Sequence, residues 1–185
     1  KIMPLLLAVA MAGTATPIYV AHPAIVKAAV SNAFGTNKIS LSAGSYTVPV
    51  SLKKADNVEQ NSMAAGAVGE NATLEVAEDG TASLEVELKA LNLYGMTGAA
   101  KDLKVYQGND IKSETKDVTV EETDEAGNPT KIKFTIPESA KTTDGIYLHM
   151  TISPLERETD AFLKVDYASL KGNENVSDGT KENTI

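Results

Sequence analysis

Apolar and polar residues alternate with a period of two in Tyr46–Leu52, where Tyr46, Val48 and Val50 stand against Thr47, Pro49 and Ser51. That period sends successive side chains to opposite faces of a strand, one of which must be covered by the rest of the fold. Pro49, which has no N–H to give a ladder, suggests that this strand runs at an edge. After a polar turn at Lys53–Asn57 comes Asn61-Ser62-Met63-Ala64-Ala65-Gly66-Ala67. Its small residues and serine start predict a single capped helical turn, a lip, closed by glycine. Ala72–Ala77 and Ala82–Lys89 alternate again, with Leu74 and Val76, then Leu84, Val86 and Leu88, on the apolar side. Glu78-Asp79-Gly80-Thr81 joins them, and Asp-Gly supplies the positive φ of a tight hairpin.

The alternation continues down the chain. Asp102–Tyr106 is a short strand. Asp117–Glu122 and Lys131–Ile136 flank a long loop, Thr123–Pro129. Gly145–Ser153 and Asp160–Tyr167 are the last pair, joined by the polar link Pro154–Thr159. Ile146, Leu148, Met150 and Ile152 share one face of the first; Leu163, Val165 and Tyr167 share one face of the second. His149 and Tyr147 therefore face opposite to Met150. Asn92–Ala100, apolar with two glycines, is expected to cross one end of the fold. These runs describe an all-β chain, a sandwich of about eight antiparallel strands with a short helical lip after the first. No internal repeat is evident.

With 42% hydrophobic but only 5% aromatic residues, the core must be built from Val, Leu and Ala. The net charge of −8 excludes the clustered basic surface that nucleic-acid binding needs. No cysteine is present, so there is no disulfide, thiolate metal site or cysteine nucleophile.

The ends read differently from the middle. Residues 1–28 hold one positive charge before an apolar stretch rich in Ala, Gly and Thr, the pattern of a signal peptide or leader. A membrane anchor is the alternative, although Pro17, His22 and Pro23 interrupt the run. No membrane insertion is expected of the mature domain. Residues 29–44 read as a linker, 45–170 as the sandwich domain, and 171–185 as a disordered polar tail.

Enzyme chemistry finds little to work with. There are two histidines, His22 in the leader and His149. The chain has no G-x-S-x-G elbow, no H-E-x-x-H, no P-loop and no G-x-G-x-x-G. Paired carboxylates such as Glu121/Glu122 lie on acidic loops, where they serve as a solvated face. The Asp124–Asn128 loop lacks the alternating ligands of a calcium loop, and no metal site is expected. The chain reads as a binding domain and not as an enzyme.

Strand, serine-bearing lip (S-M-x-x-G-x), Leu-x-Val strand, D-G turn and V-x-L-x strand together resemble the NEAT (near iron transporter) domain of Gram-positive surface proteins, over roughly Tyr46 to Tyr167. The resemblance implies an immunoglobulin-like β-sandwich, secreted or on the cell surface, that takes part in haem capture or relay for iron acquisition. Its partners would be haem or a haem-carrying protein. By position, Ser62 would meet the haem propionates and Met63 would face the ring. As a plain structural reading, Ser62 is the cap of its turn and Met63 a core plug. The family's Tyr-x-x-x-Tyr motif at the last strand is missing: Leu155–Leu163 holds no tyrosine, and Leu155 and Thr159 fall near the expected places. The chain is thus similar to a divergent member, in which His149 is the possible iron ligand and Met150 a second candidate. A gap between Met63 and the last hairpin filled by Leu155 and Phe162 would leave no haem site. The alternative is a surface adhesion or spacer module that binds a protein or glycan, for which an exposed apolar patch around Leu93–Met96 is expected.

Overall fold

The computed structural model describes residues 32–172, so the leader expected at 1–28 and nearly all of the tail expected at 171–185 lie outside the described residues. The described chain is almost wholly extended. In order come β1 (Ala33–Phe34), β2 (Ile39–Ser40), β3 (Gly44–Lys54), β4 (Val68–Val76), β5 (Ala82–Leu88), β6 (Leu91–Leu93) and β7 (Met96–Gly98). There follow β8 (Ala100–Tyr106), β9 (Thr115–Asp117), β10 (Thr119–Thr123), β11 (Pro129–Thr135), β12 (Gly145–Ile152), β13 (Arg157–Val165) and β14 (Lys171–Gly172). The eight strands of five residues or more, β3, β4, β5, β8, β10, β11, β12 and β13, form the antiparallel sandwich that the alternation predicts. No described helix is long and apolar enough to cross a membrane.

The strand path is β10-β11-β5-β4-β3-β13-β12-β8-β9. It folds into two layers because β3 changes partner along its length. Gly44–Pro49 pairs with β4, and Val50–Lys54 pairs with β13. Pro49 does not mark an edge. It stands where the β4 pairing gives way to the β13 pairing, and its carbonyl accepts from Asp166 N–H at 2.9 Å. A missing donor costs little at such a break in the ladder. The chain also crosses between layers at Val118, since β9 pairs with β8 and β10 with β11. These two crossings bring the sandwich close to a closed barrel.

The core follows the alternation. Leu74, Leu84, Leu163, Val48 and Ile132 are fully buried, and Ile146, Leu148, Met150 and Ile152 all turn inward. Asp79 Oδ1 accepts from Thr81 N–H at 2.8 Å in the β4–β5 turn, which holds this carboxyl below the usual carboxylate range; Gly80 supplies φ +87°. Part of the segment expected as linker is structured. Ala33–Ser40 forms a hairpin whose Phe34 is buried against Tyr167, ring centroids 5.5 Å apart. That side chain, with Gly35 N–H donating to Lys141 O at 2.9 Å and Thr36 donating to Asp144, ties the segment to the domain.

Candidate functional site

The lip is a single 3₁₀ turn, Ala65–Ala67, that contains Gly66, whereas the sequence pattern put the glycine at its end. It is hung from the end of β3. Ser62 N–H donates to Leu52 O at 3.0 Å, Ala65 N–H to Ser62 O at 3.0 Å, and Lys89 N–H to Ala67 O at 2.8 Å. The Ser62 hydroxyl accepts from Ala64 N–H at 3.2 Å, and the residue is 7% exposed. Serine oxygen commonly satisfies a backbone donor at the start of a turn in this way. Met63, the next residue, is 43% exposed and lies outside the core.

Two other loops come to the same end of the sandwich. β6 and β7 form a hairpin with the two-residue tip Tyr94-Gly95, both at positive φ (54° and 81°), the conformation of a type I′ turn. Tyr94 is 86% exposed. Gly98 lets this hairpin lie against the β12–β13 turn: a Cβ there would stand 1.9 Å from Ser153 O. Ala99 N–H donates to Ser153 Oγ and Ser153 N–H to Ala99 O, each at 3.0 Å.

Between lip, hairpin and turn lies a narrow, nearly filled cleft of about 10 Å³ lined by Met63, Ala64, Leu93, Ile152, Leu155, Arg157 and Thr159. Its walls are apolar except for Thr159 and Arg157, the only arginine of the chain. Arg157 has no ion pair among the described residues, whereas the neighbouring Glu156 is paired to Lys101 at 3.1 Å. Leu155 and Thr159, near the places where the resemblance puts the tyrosines, do line the cleft. Phe162 is not there. It lies on the other face of β13, against Tyr147 with ring centroids 4.9 Å apart.

His149 is not brought to the cleft either. It pairs with Asp160 across β12 and β13, on the face away from the core, and its Nδ1 is 2.8 Å from Asp160 Oδ1. The same oxygen accepts from the Tyr106 hydroxyl at 2.8 Å. Burial, and after it the hydrogen bond to the Asp160 carboxylate, raises the Tyr106 phenol to about 12. Met150 is buried in the core. Of the sequence-derived candidates, Ser62 and Met63 sit together at the lip, Ser62 turned in and Met63 out; His149 belongs to a separate polar cluster. No group of three or more acidic, histidine or cysteine side chains suited to a metal ion occurs among the described residues.

Sequence reasoning missed Arg157, and it put Leu93 in an apolar patch for a partner surface, not in the cleft. A lone arginine in a chain otherwise served by lysine was a readable signal for the first. Leu93 needed the β6–β7 hairpin to be placed.

The family model described as NEAT: Iron Transport-associated domain matches residues 40–170, a span that takes in the lip, the cleft and every strand from β3 to β13. No curated protein matches the chain.

Proposed function

The chain belongs to the NEAT family of iron-transport-associated domains, and from that premise we propose that the cleft between the lip and the β12–β13 turn captures or relays haem, in a protein secreted by or displayed on a Gram-positive cell. The observation that carries this reading is the cleft's composition: an apolar seat with half-exposed Met63 and Leu155 at its mouth and one unpaired guanidinium beside them. A haem presents a flat apolar face and two carboxylates, so it asks for an apolar slot with a cation at the rim.

The residues divide the work. Met63, Leu93 and Leu155 meet the ring. Arg157 holds a propionate, for which a guanidinium fork is well shaped. Ser62 acts through the lip, its hydroxyl being engaged with Ala64 N–H. Met63 is the one cleft residue with a side chain of a kind that ligates haem iron. The cleft, with about 10 Å³ of free volume, lies far below the range of pockets that enclose a ligand, about 300–1,000 Å³, so a ring can only be seated against its mouth. It suits one edge of the ring. A haem held in this way exchanges readily, as a relay requires.

An adhesion reading draws on the same end of the molecule. Met63, Tyr94, Met96 and Leu155 are all exposed there, and together they suit an apolar partner surface. Titration of the full chain with ferric haem separates the two. A Soret band shifted from that of free haem and saturating near one haem per chain supports capture. A spectrum that stays like free haem through several equivalents overturns it and leaves the adhesion module. Met63→Ala and Arg157→Ala are each expected to weaken binding about tenfold, the scale of one charge-assisted or well-packed contact; His149→Ala is expected to leave the titration unchanged.

A further inference from the structure

A second, roomier groove of about 410 Å³ lies away from the cleft, between the β1–β2 hairpin and the outward face of β3 and β13. Its apolar surface is given by the half-buried Ile39 and Pro49, with Phe34, Val50, Val165 and Tyr167 buried beneath them. Two ammonium groups and two carboxylates line it. Asp144 is engaged, Oδ1 accepting from Thr36 N–H at 2.8 Å and Oδ2 from Thr36 Oγ1 at 2.6 Å. Asp166 Oδ1 accepts from Ala168 N–H at 3.2 Å. The cations are not matched in this way. Lys53 Nζ meets only the neutral Asn61 Oδ1 at 2.7 Å, and Lys164 has no hydrogen bond or ion pair among the described residues. On the sheet of the other layer, by contrast, Lys131 and Lys133 are each held by glutamates.

A third donor stands unfilled. Tyr167 is 3% exposed, and its buried hydroxyl has no hydrogen-bond partner among the described residues. Burial, and after it the charge of Asp144, raises this phenol, so it keeps its proton. A buried hydroxyl left without a partner is uncommon in a folded protein and points to a ligand or water that completes it.

We infer that this groove is a binding site for a small aromatic carboxylate, with the anion seated at Lys164 and Lys53 and the ring laid on Ile39 and Pro49. The unfilled groups are all donors, two of them charged, and an anionic acceptor is the ligand that satisfies them. The apolar surface selects a ring behind the anion over a bare oxyanion.

The test is an amide-shift titration of the full, isotope-labelled chain with benzoate. Saturable shifts confined to Ser51, Lys164, Val165 and Ala168 are expected. Benzyl alcohol, which keeps the ring and lacks the charge, should bind at least tenfold more weakly, and inorganic phosphate, which has no ring, likewise. Lys164→Gln should weaken benzoate about tenfold, as loss of a charged hydrogen bond does, while Lys164→Arg retains it and Lys89→Gln changes nothing. Tyr167→Phe, which removes the orphan hydroxyl without altering the ring, should fold as stably as the parent and bind benzoate several-fold less tightly. Shifts that are scattered or do not saturate overturn the site. Benzyl alcohol or phosphate binding as tightly as benzoate overturns its chemistry.

Discussion

The two faces of the β12–β13 hairpin carry opposite arrangements within a few residues of each other. On the outward face, Asp160 accepts from Tyr106 and pairs with His149, so the polar groups there are satisfied by one another. At the turn, Leu155 and Arg157 stand with Met63 around an apolar cleft in which neither the thioether nor the guanidinium has a partner among the described residues. A strand pair can hold a closed polar cluster and an open apolar seat because alternate side chains never share a face. The lesson concerns candidates. The single histidine among the described residues is the one that draws attention in the sequence, yet its nitrogen is spent on a neighbour, while Met63 at the lip and Arg157 at the turn have no such partner among the described residues.

The sharpest way to break this contrast is to remove what both faces rest on. Leu163 is fully buried on β13, and Leu163→Ala is expected to cost about 2–5 kcal/mol in denaturant unfolding, the transfer and cavity terms together. Haem binding and the outward cluster should weaken together, and a variant that lost only one would show that the two faces are not carried by a shared strand.

A smaller effect isolates the closed face. Asp160→Ala removes the acceptor of the nearly buried Tyr106 hydroxyl, and a loss of about 1–3 kcal/mol is expected for the donor so orphaned. The haem titration should be unmoved, and a changed Soret band in this variant would bring His149 back into the site.

The same cluster predicts a pH dependence with a definite sign. The Tyr106 phenol is raised from its ordinary value of 10.0 to about 12 in the folded chain, so the folded state holds a proton that the unfolded state releases first. Stability from this group is therefore complete below pH 10 and is lost as pH rises toward 12. Tyr106→Phe should flatten that limb of a stability profile in part, since Tyr167 is raised as well. An identical limb in the variant would show that Tyr106 titrates freely.

The smallest expected effects lie on the open face. Met63→Ala and Arg157→Ala should change stability by no more than about 0.5 kcal/mol, as surface substitutions do, while lowering haem affinity. Were either to unfold the domain, Met63 would be the core plug of the alternative reading, or Arg157 a structural ion pair.

Much of the fold is legible from alternation alone. The inward face of β12 is Ile146, Leu148, Met150 and Ile152 in sequence and in structure, and the outward turn of His149 follows from the same count. The D-G turn and the small-residue lip were readable for a related reason: local backbone demands leave few residue choices. Pro49 was misplaced because a break in a ladder and an edge look the same from one strand. The β1–β2 hairpin was missed because its hold on the domain is by contacts between residues far apart in the chain, Phe34 on Tyr167, Thr36 on Asp144 and Gly35 N–H on Lys141 O.

What the sequence determined by itself is the set of strands, the face each turns inward, and membership in a family, because these depend on periods of two and on short local patterns. Only the tertiary structure decided that Asp160 would claim His149, that Arg157 would stand at the mouth of a cleft with Met63, and that Lys164 and the Tyr167 hydroxyl would be left beside a groove without partners. Each of those rests on register and on loops that meet across the fold, and no local pattern encodes the distance between residues that the chain brings together from far apart.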